Sequence, residues 1–228
     1  MHIIQNLISN FQNYLLILPV ALISLTVHEC AHGFVAYKLG DPTAKDAGRL
    51  TLNPLRHIDP IGLLMMMFLR VGWAKPVPVS PLYFKNPKKG MLLTAIAGPV
   101  SNLALAFVSV PICEIFGYIA YVNTGAFSTV FDVLSEIFFL FAILNLGYAV
   151  FNLIPVHPLD GSRVLGYFMP DSFNLFFVRY GQYFQIAFFV LILATDVISN
   201  AVYFVQINLY SLIAFVWQFP LNAIFNLF

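Results

Sequence analysis

Long apolar stretches, each about as long as a lipid bilayer is thick, dominate the hydrophobic pattern of this chain. A helix needs about 20 mostly apolar residues to cross the hydrocarbon core of a membrane. Five stretches fit this description, although Asn208, Gln218 and Pro220 interrupt the last one. They cover residues 12–39, 91–117, 132–154, 173–195 and 200–225. The pattern therefore predicts an all-α, polytopic membrane protein with about five transmembrane helices.

The composition agrees with this pattern. Apolar residues make up 60% of the chain and charged residues 9%, with a mean hydropathy of +0.85, whereas a soluble domain carries roughly 25% charged residues. The chain lacks the polar side chains that a water-facing surface needs. The net charge of +1 gives no indication of nucleic-acid binding. Because no internal repeat divides the sequence, we expect one integral membrane domain over residues 1–228.

The loop between the first two predicted spans carries most of the positive charge. Nine of the eleven Lys and Arg residues lie between Lys38 and Lys89. Basic residues mark the cytoplasmic side of a membrane protein, so we expect this loop inside, the N-terminus outside, and a multi-pass protein of the cell membrane. Prolines favour an extended backbone over residues 71–80. That segment and residues 48–53 are our candidates for short β-strands in this cytoplasmic loop.

Candidate chemistry lies within the first predicted span, in the sequence His28-Glu29-Cys30-Ala31-His32. Charged and metal-binding side chains are costly at membrane depth, which makes them functional candidates. At about 100° per residue, His32 lies about 40° from His28 on one helix face. Glu29 lies beside that face, whereas Cys30 points away from it. This spacing is the HExxH arrangement of zinc peptidases, and a chance match is the alternative.

A third metal ligand has to come from another part of the chain, and Asp160 is the best-placed carboxylate. Two prolines break the third apolar stretch just before it, and irregular backbone at this depth is tolerated only where it is buried in protein or lines a wet cavity. The alternative role for Asp160 is to cap a helix that begins at Gly161. Five other carboxylates lie near outer span ends or in polar turns: Glu114, Glu136, Asp41, Asp46 and Asp59.

Three separated motifs resemble those of the site-2 protease family of intramembrane zinc peptidases. They are His28-Glu29-Cys30-Ala31-His32, Gly98-Pro99-Val100-Ser101-Asn102, and Asn152…Pro155…Pro158-Leu159-Asp160-Gly161. The similarity is greatest to the compact prokaryotic branch without a PDZ or CBS domain, and it covers about residues 15–170. It implies a three-helix catalytic core at about 12–170, followed by C-terminal helices at about 173–226.

The resemblance also implies a zinc endopeptidase with one zinc per chain. The implied zinc ligands are His28, His32 and Asp160. Glu29 would act as the general base on a water at the fourth zinc position, where zinc lowers the water pKa to about 7. Asn102 and Asn152 would face the site and support the substrate backbone or the developing oxyanion. For Asn102, a structural hydrogen bond between two helices is the alternative.

The implied partners are the lipid bilayer and transmembrane segments of other membrane proteins, cut in a cavity that opens toward the cytoplasm. An exposed strand edge could hold an unwound substrate by main-chain pairing. Two other functions stay open: a metal transporter, or a catalytically silent relative that only binds membrane segments. The outer halves of the spans lack a polar path, and Glu29 is intact, which favours the peptidase. A homo-oligomer and the roles of His57 and His157 also stay open.

Overall fold

The computed structural model describes residues 2–69 and 72–225, so the outermost residues of the predicted ranges 71–80 and 173–226 lie outside the described part. Helices make up most of it. The α-helices in these residues are α1 (His2–Lys38), α2 (Thr43–Asp46), α3 (Pro60–Leu69), α4 (Pro87–Val122), α5 (Ala126–Asn152), α6 (Asp160–Phe168), α7 (Asp171–Ala194) and α8 (Val197–Phe225). Two short 3₁₀ helices, Pro54–Arg56 and Pro81–Tyr83, lie in the loop between α1 and α4.

Four helices in the described residues are long and apolar enough to cross a membrane. They are Leu16–Lys38 of α1, all of α4 and α5, and Val197–Ala223 of α8. The predicted all-α, polytopic class is confirmed. The predicted span at 173–195 forms α7, which is not one of these four. Instead, its Phe188 ring packs against the Phe151 ring near the C-terminal end of α5.

The contacts between α5 and α8 give the direction of α8. Gln206 Nε2 donates to the Ile143 carbonyl at 2.6 Å. One turn later on α8, the Tyr210 ring contacts Phe139, which lies one turn earlier on α5. The two helices are therefore antiparallel, and α8 begins at the end of the bundle where α5 finishes at Asn152. The described residues thus contain four helices that are long and apolar enough to cross a membrane, where the sequence predicted about five.

Small residues bring α1, α4 and α5 close together. α4 and α5 form an antiparallel hairpin, and α1 packs against both. Fully buried alanines lie in these helices: Ala21, Ala36, Ala95, Ala106 and Ala142. Small side chains allow helix backbones to approach closely, which is how helices associate where lipid offers no hydrophobic driving force. This packing forms the predicted three-helix core.

Local sequence signals determine where these helices begin. Asn86 Oδ1 accepts a hydrogen bond from Lys89 N at 3.0 Å, and Pro87 occupies the first helical position, where its missing N–H costs nothing. Gly125 adopts a φ of +74° in the turn before α5, a conformation that favours glycine. After α5 a short turn leads directly into α6, whose first residue is Asp160.

The loop between α1 and α4 contains no β-strand in its described residues, so the predicted strands at 48–53 and 71–80 are wrong. The one pairing is an isolated antiparallel bridge between Ile58 and Ala74. Pro76 and Pro78 lack N–H groups, and a strand cannot extend a ladder through residues that cannot donate. Residues 73–80 are extended, and the N–H groups of Val77 and Ser80 bind side chains and not a neighbouring strand. We call residues 73–80 the proline segment.

Two buried charged residues anchor the proline segment. Asp41 is fully buried, and its carboxylate accepts hydrogen bonds from Ser80 N at 2.7 Å and Thr43 N at 3.0 Å. Arg49 Nη2 donates to the Lys75 carbonyl at 2.5 Å. Burial raises the pKa of Asp41, but the hydrogen bonds from the Thr43 hydroxyl and from these N–H groups outweigh it and hold the pKa below its ordinary value.

We predict that Asp41→Asn lowers the stability of the protein in detergent. The substitution removes the charge that accepts these hydrogen bonds, which is worth about 2 kcal/mol and a shift of about 5 °C in the unfolding temperature. Folding lowers the pKa of Asp41. The stabilisation by its carboxylate is therefore fully present above the pKa of Asp41 in the unfolded chain, and it is lost as the pH falls through the pKa in the folded protein. The difference from wild type should therefore shrink below about pH 4. The matched control is Asp46→Asn, which changes an exposed carboxylate, and an equal shift in both variants would contradict the prediction.

Candidate metal centre

The structure brings the three candidate metal ligands together at a buried point between α1 and α6. His28, His32 and Asp160 expose 4%, 7% and 9% of their surface. His28 Nε2 lies 2.9 Å from His32 Nε2 and 3.1 Å from Asp160 Oδ2, and the distance from His32 Nε2 to Asp160 Oδ2 is 3.2 Å. Three possible metal-ligand atoms therefore converge on one point, although His28 and Asp160 lie 132 positions apart in the sequence.

Hydrogen bonds on the far side of each imidazole orient the two rings. His28 Nδ1 lies 2.5 Å from Asn102 Oδ1, which can only accept, so Nδ1 is the donor. His32 Nδ1 donates in the same way to the Thr94 carbonyl at 2.7 Å. In a neutral imidazole whose Nδ1 carries the hydrogen, Nε2 carries a lone pair. Both lone pairs therefore face Asp160.

This donor set fits a zinc ion. Two imidazole lone pairs and a carboxylate oxygen repel one another at about 3 Å unless a cation lies among them. Two nitrogens and one oxygen form a common ligand set of catalytic zinc sites, which keep a fourth position open. The partners that orient the rings, an amide and a backbone carbonyl, are of the kind that metal-binding histidines use.

A chain of buried amides determines the orientation of Asn102. Asn145 Nδ2 donates to Ser24 Oγ and to the Phe141 carbonyl, both at 2.8 Å. Its Oδ1 therefore accepts from Asn102 Nδ2, at 2.6 Å. Asn102 Oδ1 is then left for His28. The three polar side chains of this chain, at positions 24, 102 and 145, are fully buried.

Asn145 is the residue that the sequence analysis missed. An amide in the middle of the apolar stretch 132–154 was the available signal, because polar side chains at this depth need partners. Asn152, two turns further along the same helix, was predicted to face the site instead. Asn152 Nδ2 donates to the Tyr148 carbonyl within α5 at 3.0 Å, so its role in substrate support stays a prediction. Asn102 contacts His28 directly.

Glu29 lies next to the cluster and is half-buried. Its Oε2 accepts a hydrogen bond from the backbone N–H of Val77, at 2.8 Å. Two other histidines lie away from the cluster. His57 is buried in the loop and donates through Nε2 to the Thr51 carbonyl at 2.9 Å, and His157 is exposed beside Gly181 of α7.

Two glycines allow the backbone to approach the candidate ligands. A Cβ atom on Gly98 would lie 2.5 Å from His28 Nε2 and from His32 Cε1. A Cβ atom on Gly161 would lie 2.2 Å from the Leu153 carbonyl oxygen, where the start of α6 packs against the end of α5. Gly98 lets α4 pass beside the imidazoles, and Gly161 lets the start of α6 pack closely enough to bring Asp160 next to them.

We predict that Asn145→Leu weakens zinc affinity by about 10- to 100-fold, a typical cost of removing a group that orients a ligand. Leucine cannot accept from Asn102 Nδ2, which then keeps only its longer contact to the Ser24 carbonyl, at 3.5 Å, so the Asn102 oxygen is held less firmly toward His28. Competition with a chelator measures the affinity. Asn208→Leu is the matched control, because that amide bonds within lipid-exposed α8. Equal affinities in the two variants would contradict the prediction.

We also predict that Gly98→Ala lowers the zinc content per chain far below that of wild type. The added methyl group would occupy space that the two imidazole rings use, so α4 or the rings must move. Metal analysis of the purified protein measures the effect. Gly117→Ala on the same helix serves as the control, since its methyl group would meet only the Ser135 hydroxyl, at 3.3 Å. Full zinc occupancy in Gly98→Ala would show that the rings tolerate the shift.

Comparisons with known proteins agree with this geometry. Residues 16–194 match the model described as Peptidase family M50. A Bacillus subtilis (strain 168) protein named "Putative zinc metalloprotease YwhC" is 42% identical over 170 residues, which cover 75% of this chain and 76% of that protein. A Mycobacterium tuberculosis (strain H37Rv) protein named "Putative zinc metalloprotease Rip2" is 30% identical over 158 residues, 67% of this chain and 56% of that protein.

A more distant relative, "Zinc metalloprotease MJ0392" of Methanocaldococcus jannaschii, is 27% identical over 143 residues, 63% of this chain and 31% of that protein. No solved structure matches the chain. The family match covers all three candidate ligands and both core asparagines, and zinc is the metal that the names of the relatives give. The chain therefore belongs to peptidase family M50, the site-2 protease family, and is a membrane zinc metalloprotease.

Proposed function

We propose that this protein hydrolyses peptide bonds in transmembrane segments of other membrane proteins, with Glu29 as the general base. One observation carries the proposal: three buried ligand atoms converge beside a carboxylate, on a helix that is long and apolar enough to cross a membrane. His28 lies ten residues before the end of α1 at Lys38, or about 15 Å along the helix axis. Peptide bonds at that depth belong to membrane segments.

The proposed zinc ligands are Nε2 of His28, Nε2 of His32 and a carboxylate oxygen of Asp160. When bound, zinc supplies a Lewis acid that polarises the substrate carbonyl and acidifies a water. The residues of the chain supply the orientation of the ligands and the compensation of charge. Asn102 and Thr94 would keep both Nε2 atoms turned toward the zinc position, and the Asp160 carboxylate would compensate part of the charge of the ion.

Glu29 is placed to accept the proton of the attacking water and to deliver it to the leaving amine. It follows His28 directly, so its side chain leaves α1 about 100° round from the ligand face, beside the metal and not on it. A general base has to lie within hydrogen-bond reach of the proton that it removes. The two carboxylates then have separate tasks, because Asp160 faces both imidazoles and Glu29 does not.

The substrate has to be unwound before it is cut. A helix keeps its carbonyl groups in its own hydrogen bonds, which hides the scissile bond from attack. An extended chain beside the site can hold an unwound segment by main-chain pairing. The proline segment runs past Glu29 in an extended conformation, which supports it as the surface that receives the substrate.

We further propose that the site opens toward the cytoplasm and that the N-terminus lies outside. Nine of the eleven basic residues lie in the 38–89 region, which joins α1 to α4 at the end of the bundle nearest the metal centre. Basic loops stay on the cytoplasmic side. With four crossing helices, α8 then ends on the same side as the N-terminus.

We predict that Glu29→Gln keeps about one zinc per chain but loses cleavage by a factor of about 10² or more, since general-base catalysis contributes about 10²–10⁴-fold. The purified wild type and variant are analysed for zinc and incubated with a panel of single-span membrane segments. Glu136→Gln, which changes an exposed carboxylate on α5, is the matched control.

Cleavage by Glu29→Gln at the wild-type rate would contradict the role of Glu29 as the base. A wild-type protein without zinc would contradict the metal site. If wild type binds zinc and binds the segments but cuts none of them, the silent-relative interpretation is favoured. Zinc uptake into sealed vesicles, without cleavage, would favour the transporter.

A further inference from the structure

The hydrogen bond on Glu29 comes from an unusual part of the chain. Val77 lies between Pro76 and Pro78, and a proline has no N–H to donate. The N–H of Val77 is therefore the only backbone donor within these three residues. It points at Glu29 Oε2 with an N···O distance of 2.8 Å.

The proline segment is fixed on both sides of this donor. On one side, Lys75 N donates to the His57 carbonyl at 2.8 Å, and the Lys75 carbonyl accepts from Arg49. On the other side, Ser80 N donates to the buried carboxylate of Asp41. A prolyl backbone also has few alternative conformations to adopt. The donor therefore has a fixed position in space.

The Val77 side chain packs onto α1 next to Glu29. Val77 is 9% exposed, and a Cβ atom added to Gly33, one turn after Glu29, would lie only 3.0 Å from Val77 Cγ1. The glycine thus lets the proline segment approach the helix closely enough for its N–H to reach the carboxylate. A movable lid would not be expected to depend on contacts this close or on buried charges as anchors.

This contact leaves Glu29 free to work as a base. A carboxylate has two oxygens with about four lone-pair positions, and the Val77 N–H uses one of them on Oε2. The bond restricts rotation of the carboxylate plane and leaves Oε1 for the attacking water. A base held in place loses less entropy at the moment of reaction than one that must first be oriented.

We propose that the backbone N–H of Val77 is a positioning group, through which the proline segment holds the Glu29 carboxylate in the orientation that proton transfer needs. This inference rests on the proposed function of Glu29. It assigns a role in the chemistry to a loop that lies outside the three-helix core and carries none of the candidate metal ligands.

The test compares two proline substitutions in the full-length protein. Val77→Pro removes the donor, whereas Val79→Pro places a proline two residues away, at an N–H to which the described structure gives no acceptor. Val77→Ala keeps the N–H and shortens the side chain. We expect kcat for a membrane segment to fall about 10- to 100-fold in Val77→Pro relative to Val79→Pro, as for misplacement of a catalytic group by about 1 Å. KM and zinc content should stay unchanged, and Val77→Ala, which keeps the N–H, should lose less kcat than Val77→Pro.

Each other outcome overturns the inference. Equal kcat in Val77→Pro and Val79→Pro would show that the donor is not needed. Faster cleavage by Val77→Pro would show that the proline segment is a barrier that has to leave. Equal losses in Val77→Pro and Val77→Ala would assign the effect to packing. Because Glu29→Gln is measured beside these variants, failure of the positioning role is distinguishable from failure of Glu29 as the base.

Discussion

The hydrogen bond between His28 Nδ1 and Asn102 Oδ1 is the interaction on which the rest of the core depends. It joins α1 to α4 and determines which nitrogen of His28 faces Asp160. Through the amide of Asn145 it continues to α5, so that one chain of buried polar groups connects all three core helices. In an apolar bundle, leaving any member without its partner costs about 1–3 kcal/mol. The packing of the three helices and the orientation of the His28 ring at the candidate metal centre therefore depend on the same hydrogen bonds.

This polar chain demands close helix packing, and the small residues supply it. Hydrogen bonds between side chains as short as Asn and Ser require backbones that nearly touch. Fully buried alanines on α1, α4 and α5 permit this approach, and Gly98 permits it at the imidazoles themselves. Larger residues at these positions would separate the helices, and the amides would lose their partners before the apolar contacts became unfavourable.

The sequence predicted what depends on local spacing and missed what depends on how separate segments meet. His28, Glu29 and His32 were found because their spacing places them together on any helix, and Asp160 because the prolines before it are visible in the sequence. Asn145 was missed because its value depends on the register between α4 and α5. Apolar composition predicted a transmembrane helix at 173–195, but this stretch forms α7, which is not among the helices of the described residues that are long and apolar enough to cross a membrane. The prolines predicted an extended segment at 71–80, but the N–H groups of Val77 and Ser80 bind side chains of α1 and of the turn after it, which no strand pattern reveals.

The structure also restrains the rotation of α1 about its own axis, which is a free motion for an isolated membrane helix. A rotation of about 10° moves a side-chain tip at a radius of about 6 Å by about 1 Å, which exceeds the tolerance of about 0.5 Å for a catalytic group. His28 is held by α4 on one face of α1, and Glu29 is held by the proline segment on another. Because the two residues are adjacent on the helix, any rotation that relaxes one contact strains the other. Gly98 lets α4 pass close to the two imidazoles of α1, and Gly33 lets the Val77 side chain pack close to α1. The candidate metal ligands and the proposed base therefore keep their relative positions because two independent parts of the chain hold α1 from different sides.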